Sequence, residues 1–121
     1  MEVYYWTSET GKQPFTDFWE EASQELQPNE VAQLINYLDL CEKYSYHQIM
    51  LAPWAVDLKN EKNLYEIKRK MSDKKEPRIF FTVIGQRELW ILNGIMKKQQ
   101  KARHAIEYAR KLARQVHQTR S

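Results

Sequence analysis

Four basic side chains in the second half of the chain have the types and spacing needed for chemistry on a phosphate. Lys68 belongs to a run that alternates like a β-strand, and Arg78 opens the next apolar run, where we expect an exposed charge at the start of a strand. Lys97 and Lys98 follow a third apolar run. Because antiparallel neighbours bring such strand ends together, we expect these cations to converge and to stabilise charge on phosphate oxygens during attack by a ribose 2′-hydroxyl. The same set would also serve a protein that only binds nucleic acid.

The charge of the chain is divided between its two halves. The 121 residues have a net charge of +3, but residues 1–58 hold two basic and ten acidic side chains, a net charge of −8. Residues 59–121 hold seventeen basic and six acidic side chains, a net charge of +11. This asymmetry predicts that the second half binds a polyanion. The alternative is a solvated basic helix, since Lys and Arg are good helix formers.

Several other chemistries lack the residues that they need. The sequence has no glycine-rich phosphate loop, no Cys and His spacing typical of zinc sites, and no serine elbow. The histidines His47, His104 and His117 are scattered, and the single Cys41 has acidic neighbours that disfavour a reactive thiolate. We therefore expect no metal and no cofactor. The absence of a signal-like N-terminus and of a long apolar run predicts a cytoplasmic protein without a membrane partner.

The elements that position the four cations follow from the spacing of apolar residues. Residues 3–6 predict a first strand, and amphipathic patterns that begin at Pro14 and Pro28 predict a helical hairpin. The apolar stripe of the second helix is Val31, Leu34, Ile35, Leu38 and Cys41. Residues 44–62 are irregular and predict a loop with at most one short strand at residues 55–58.

The second half predicts further strands and a closing helix. Residues 64–71 alternate, which places Tyr65 on one face and Lys68 on the other, and residues 78–84 are apolar on both faces. A tight turn leads to a strand that begins at residue 89, and an amphipathic helix follows from residue 101. We therefore expect one α+β domain over residues 1–121. It should have an N-terminal strand, the helical hairpin, a twisted, mainly antiparallel sheet of roughly three to four further strands, and a C-terminal helix.

Several short motifs of the second half occur in a characteristic order. They are Leu64-Tyr65-Glu66-Ile67-Lys68, then Arg78-Ile79-Phe80-Phe81, then Ile91-Leu92-Asn93-Gly94-Ile95-Met96-Lys97-Lys98-Gln99-Gln100-Lys101, and finally Ile106-Glu107-Tyr108-Ala109. Together they resemble the RelE/ParE toxin superfamily, and within it the phage-related HigB-like branch. The resemblance implies the RelE-like fold and a toxin that cleaves messenger RNA, commonly on the ribosome. It also implies a cognate helix-turn-helix antitoxin of the HigA type that holds the toxin inactive.

The resemblance also implies roles for individual residues. By position, the phosphate-binding and catalytic residues are Lys68, Arg78, Lys97 and Lys98. Tyr65 corresponds to an aromatic residue that could stack on a base. His104, near the start of the closing helix, is the candidate for proton transfer, and a plain surface position is the alternative. We expect contacts to RNA from three more cations: Arg69, Lys101 and Arg103.

The chain departs from the branch pattern at two places, and the departure at Asn93 favours a different function. Asn93 stands where the pattern has a histidine, and Ala102-Arg103 stands where threonine and proline are usual. Asparagine cannot shuttle a proton. The alternative function is therefore a non-catalytic protein of the same fold, either an inhibitor of a partner such as DNA gyrase or a degenerate phage protein.

Overall fold

The structure is a computed structural model that describes residues 1–97 and 102–120. Its elements in chain order are β1 (Glu2–Tyr5), α1 (Pro14–Glu25), α2 (Pro28–Lys43), α3 (Tyr46–Leu51), β2 (Ala55–Asp57), β3 (Tyr65–Lys68), β4 (Glu76–Ile84), β5 (Glu88–Lys97) and α4 (Arg103–Arg120). The strands form a sheet in the order β1-β5-β4-β3-β2. In this sheet β1 runs parallel to β5, and the other neighbours are antiparallel. The expected α+β, RelE-like architecture is confirmed.

Each helix of the helical hairpin begins with a proline, as predicted. Pro14 and Pro28 occupy the first turns of α1 and α2, where the missing backbone N–H costs no hydrogen bond. The buried stripe of α2 runs through Leu34, Tyr37 and Cys41. Ile35, which we expected in this stripe, is 45% exposed. The stripe is therefore rotated around the helix relative to the prediction.

The segment between α2 and β3 contains one element that the sequence predicted and one that it did not. The short strand near residues 55–58 is confirmed as β2, but the helix α3 was not expected. Ser45 begins α3 with a capping box, because its hydroxyl accepts from the backbone N–H of Gln48 at 3.3 Å and the Gln48 side chain accepts from the Ser45 N–H at 2.8 Å. The prediction of a plain loop over this segment was therefore wrong.

Helices cover both faces of the sheet and create two apolar clusters. The hairpin face is packed by side chains such as Phe18 from α1 and Phe81 from β4. On the other face, Phe80 and Leu92 pack against α4 through residues such as Leu112. Within the described residues, no helix is both long and apolar enough to cross a lipid bilayer.

The β4–β5 hairpin determines which residues face α4. Gly85 and Gln86 both have φ of +58°, the left-handed backbone that a tight primed turn requires. A register shift then opens in β5, because Phe80 pairs with Asn93 whereas Phe81 pairs with Ile91. The extra residue bends β5 so that the Asn93 side chain reaches α4.

The second half of β5 lies close to α1 because residue 94 is a glycine. A Cβ atom on Gly94 would lie 2.6–2.9 Å from three ring carbons of Phe18, closer than real Cβ contacts allow. This glycine therefore sets the distance between α1 and the strand that ends at Lys97.

Candidate active site

Three neighbouring strands place cations on one face of the sheet at one end. Lys68 in β3 lies directly opposite Arg78 in β4, and Glu76 in β4 lies opposite Lys97 in β5. Alternate residues of a strand share a face, so all of these side chains lie on the face that α4 covers. We refer to Glu66, Lys68, Glu76, Arg78 and Lys97 as the strand-end cluster. The structure thus brings together three of the four cations proposed from the sequence.

Arg78 is the most firmly held residue of the strand-end cluster. Its Nε and one terminal nitrogen each lie 2.7 Å from a carboxylate oxygen of Glu66, and the two residues are 8% and 1% exposed. We expected Arg78 to be an exposed charge at the start of a strand, and that expectation was wrong. The strand begins two residues earlier, at Glu76, and has a neighbour on each side. Arg78 is therefore an interior residue of the sheet.

The two glutamates of the strand-end cluster offset part of its positive charge. Lys68 Nζ lies 3.9 Å from Glu76 Oε1, which completes a second ion pair beside that of Arg78 with Glu66. The cluster therefore carries three positive and two negative charges. The side chain of Lys68 is 38% exposed and Lys97 is half-buried, so solvent and ligands reach the lysines. In this arrangement a fixed arginine lies between two lysines that a phosphate group can approach, so the cluster is suited to phosphate binding.

Asn93 connects β5 to the first turn of α4. Its Nδ2 donates to the backbone oxygen of Ala105 at 3.1 Å, and the residue is only 4% exposed. Its Oδ1 is buried and accepts no hydrogen bond from any residue that the structure describes. Buried polar atoms are nearly always paired, and this oxygen still has the capacity to accept a hydrogen bond.

A shallow pocket of about 350 Å³ lies between the second half of β5, the start of α1 and the first turn of α4. The side chains that could do chemistry there are those of Lys12, Asp17, Asn93, His104 and Tyr108. His104 is almost fully exposed, with Nδ1 3.9 Å from Glu107 Oε2. The pocket therefore joins the histidine proposed for proton transfer to the asparagine that replaces the expected histidine.

Arg103 also lies in the first turn of α4, with 82% of its side chain exposed. Its Nε lies 3.3 Å from Glu107 Oε1, so Glu107 pairs with residues that precede it in the helix. Arg103 is therefore accessible at the start of α4, and its contact with RNA stays a prediction.

Two residues proposed to bind RNA lie on the opposite face of the sheet. Tyr65 stacks on Phe81 among the hairpin residues, with ring centroids 5.4 Å apart. Burial, and then a hydrogen bond with Tyr46, raise the pKa of Tyr65 to about 12. Arg69 donates to the hydroxyl of Tyr37 at 2.6 Å. The structure does not bring these residues to the strand-end cluster.

Lys98 and Lys101, which the sequence analysis also proposed, lie outside the described residues. Among the residues that are described, no group of three or more His, Cys, Asp or Glu side chains is placed to hold a metal ion. Sequence reasoning missed Glu66 and Glu76 as members of the cluster. The available signal was their position two residues before Lys68 and Arg78, which puts each on the same face of its strand.

Comparison with known proteins identifies the family of the chain. A search of curated proteins gave no match. The family model described as phage derived protein Gp49-like (DUF891) matches residues 21–114. The match extends from within α1 into α4 and includes the whole strand-end cluster and Asn93. The chain therefore belongs to this Gp49-like phage-derived family, which is a family of RelE-like toxins.

Proposed function

We propose that this protein is the toxin of a type II toxin-antitoxin system, of the HigB-like branch, and cleaves messenger RNA without a metal. One observation carries the proposal: Lys68, Arg78 and Lys97 share one face and one end of the sheet. Membership of a RelE-like toxin family supports the toxin class. The cationic second half, with a net charge of +11 over residues 59–121, supports a polyanionic substrate.

The proposed reaction is an attack by a ribose 2′-hydroxyl on the adjacent phosphorus. A bond forms between the 2′-oxygen and phosphorus, the bond from phosphorus to the 5′-oxygen breaks, and a cyclic phosphate and a 5′-hydroxyl result. Lys68 and Lys97 stabilise the added charge on the phosphate oxygens, and Arg78 contributes the terminal nitrogen that is not bonded to Glu66. A base takes the 2′ proton, and an acid gives a proton to the 5′-oxygen. His104 or a lysine fills these roles.

Glu66 acts in this proposal as a positioning residue. Two hydrogen bonds of 2.7 Å fix the plane of the Arg78 guanidinium before a substrate arrives. A group that is already oriented needs no reorganisation during the reaction, which makes its electrostatic effect larger. The rotational freedom of Arg78 is thus removed by folding and not by substrate.

We assign base contact to Tyr108 in preference to Tyr65. Tyr65 lies on the face opposite the strand-end cluster, whereas Tyr108 is 38% exposed and lines the pocket that contains Asn93 and His104. An exposed aromatic ring can stack on an unpaired base, the usual mode of single-stranded RNA recognition. Arg103 in the preceding turn would contact the backbone phosphates.

The partners follow from this assignment. We propose that the substrate is messenger RNA, engaged on the ribosome, and that a helix-turn-helix antitoxin of the HigA type holds the toxin inactive in the cytoplasm. The acidic half of the chain, with a net charge of −8 over residues 1–58, would not bind nucleic acid.

The decisive experiment is to induce the full chain in bacteria, follow growth, and map new 5′ ends in messenger RNA. Growth arrest with cuts inside translated frames supports the proposal. The Lys68→Gln and Lys97→Gln double variant should weaken both effects, and Lys43→Gln, which removes an exposed charge in α2, should preserve them. Growth arrest with intact messages would overturn the nuclease proposal, but the proposal that the protein is a toxin would still stand.

A second candidate function is inhibition of a partner such as DNA gyrase without RNA cleavage. The observation in its favour is Asn93, whose side chain is committed to Ala105 and cannot carry a proton. Purified protein in a gyrase supercoiling assay distinguishes the two functions. Inhibition of supercoiling together with intact messenger RNA would favour this candidate.

A further inference from the structure

A second, larger pocket lies at the opposite end of the sheet from the strand-end cluster. It has a volume of about 530 Å³ and lies between the β2–β3 loop, residues 60–63, and the last turns of α4. This volume is within the range of small-molecule sites. Residues 60–63, the loop wall of the pocket, come just before the first residue of β3, whereas Lys68 of the strand-end cluster is the last residue of that strand. His104 and His117 at the two ends of α4 are separated by roughly 20 Å at 1.5 Å per residue, so the two pockets are separate sites.

The loop wall of this pocket is held in place by contacts to α4 and β4. Arg110 makes a bidentate ion pair with Glu61, and this pair lowers the pKa of the Glu61 carboxyl. The hydroxyl of Thr82 donates to the backbone oxygen of Asn63 at 2.5 Å, although Asn63 has a left-handed φ of +54°. Contacts within the protein therefore hold the loop wall of the pocket in place.

His117 in this pocket has a defined tautomer. The only hydrogen of the Thr82 hydroxyl is directed to Asn63, so its oxygen must accept from His117, whose Nε2 lies 2.9 Å away. Nε2 therefore carries the proton. Burial, and then the nearby charge of Lys62, lower the pKa of His117 below its ordinary value of 6.5, so the ring is neutral at pH 7.

The remaining charge in the pocket is positive. Glu61 contributes the carboxylate that lines the pocket, and this carboxylate already forms an ion pair with Arg110. Lys62 and Arg114 also line the pocket, and neither has a carboxylate partner within the part of the chain that the structure describes. The side-chain amides of Asn60 and Asn63 add hydrogen-bond donors. Two cations and amide donors in one concave site match the needs of a phosphate group.

We propose that the pocket between residues 60–63 and the last turns of α4 binds a phosphate group of a nucleotide, with Lys62 and Arg114 as its cationic ligands. The group is either the phosphate of a free mononucleotide or one carried by an RNA strand. Arginine grips two phosphate oxygens at once, and lysine adds a mobile charge from the loop. The site is independent of cleavage, because none of its residues belongs to the strand-end cluster.

The test is an NMR titration of the ¹⁵N-labelled full chain. Four probes are used: inorganic phosphate, adenosine 5′-monophosphate, and a 2′-O-methyl RNA hexamer with and without a 5′ phosphate. The hexamers cannot be cleaved, because the methyl group blocks the 2′-oxygen. We expect saturable shifts in residues 60–63 and 113–117. Lys62→Gln and Arg114→Gln should each weaken binding roughly tenfold, the usual effect of losing one charge-assisted hydrogen bond. Lys111→Gln removes an exposed charge from the same helix outside the pocket and should change affinity less than about twofold.

Each outcome of the titration supports or overturns the proposal. Binding of only the 5′-phosphorylated probes assigns a terminal phosphate, and equal binding of both hexamers assigns an internal phosphate of RNA. A protein with Lys68→Gln should keep this binding, which separates the pocket from the proposed cleavage site. Absence of saturable shifts with all four probes, or equal losses for Arg114→Gln and Lys111→Gln, would overturn the proposal.

Discussion

Arg78 and Glu66 form a bidentate ion pair inside the sheet, with two nitrogen to oxygen distances of 2.7 Å. They are diagonal neighbours on adjacent strands, since Glu66 lies opposite Phe80 and Arg78 lies opposite Lys68. A buried pair contributes little net stability compared with apolar side chains, but losing one partner leaves the other charge buried alone. Arg78 therefore has a structural role as well as the one proposed in catalysis.

The first prediction concerns the stability of this pair. Arg78→Ala should lower the free energy of unfolding by about 3–5 kcal/mol, because the Glu66 carboxylate stays buried without its partner. The double variant Glu66→Met with Arg78→Leu should recover most of that loss. Urea denaturation of the three proteins measures both effects. If Arg78→Ala unfolds within about 1 kcal/mol of the parent, the pair is not buried as the structure has it.

Because Arg78→Ala affects folding, the catalytic proposal is better tested at the lysines. Lys68→Gln and Lys97→Gln should each reduce the rate of RNA cleavage by roughly tenfold or more with little change in stability, since both lysines are accessible. Their effects should be less than additive if both serve one step. Cleavage of a defined RNA under single-turnover conditions gives the rates. If the folded double variant keeps full activity, neither lysine takes part in cleavage.

The salt dependence of RNA binding provides a third prediction. Each lysine that contacts a phosphate releases counterions, so the slope of log affinity against log salt should fall by about 0.7 for single strands when Lys97 is replaced by Gln. Lys43→Gln, in the acidic half, should leave the slope of the parent unchanged. Fluorescence anisotropy with a 2′-O-methyl RNA measures the slopes. A parent affinity that does not depend on salt would contradict the polyanion argument.

The sequence predicted most elements because its periodicities are local. Proline at the first turns of α1 and α2 and the alternation around Ile67 each depend on a few neighbouring residues. Alternation also placed Tyr65 and Lys68 on opposite faces, and only the family resemblance assigned both to one site. The capping box from Ser45 to Gln48 was a readable signal for α3.

The burial of Arg78 was not predictable in this way because it depends on register. Which residue of β3 lies beside Arg78 is set by the β3–β4 pairing and by the length of the intervening loop. The parallel pairing of β1 with β5 is likewise a contact between distant segments. These are non-local features, and local patterns do not encode them.

The fourth prediction follows from the lowered pKa of His117. The unfolded chain binds a proton near pH 6.5 and the folded chain only at lower pH, so stability should fall as pH decreases from about 7.5 through the folded pKa. His117→Gln should remove this part of the slope, and Lys62→Gln should reduce it. Urea denaturation at several pH values measures the slope. The carboxyl of Glu61, whose pKa lies below 4.5, contributes only in more acidic solution. An equal slope in the parent and His117→Gln would contradict the prediction.

The fifth prediction asks whether the missing proton carrier limits activity. In Asn93→His, an imidazole N–H can still donate to the backbone oxygen of Ala105, and the second nitrogen takes the place of the buried Oδ1. General acid–base catalysis commonly contributes about 10²–10⁴ in rate, so the variant should cleave RNA at least roughly tenfold faster than the parent. Asn93→Gln is the control, because it keeps an amide and adds no group that titrates. An Asn93→His protein that folds but gains no activity would show that proton transfer occurs elsewhere, with His104→Ala as the variant that should then lose activity.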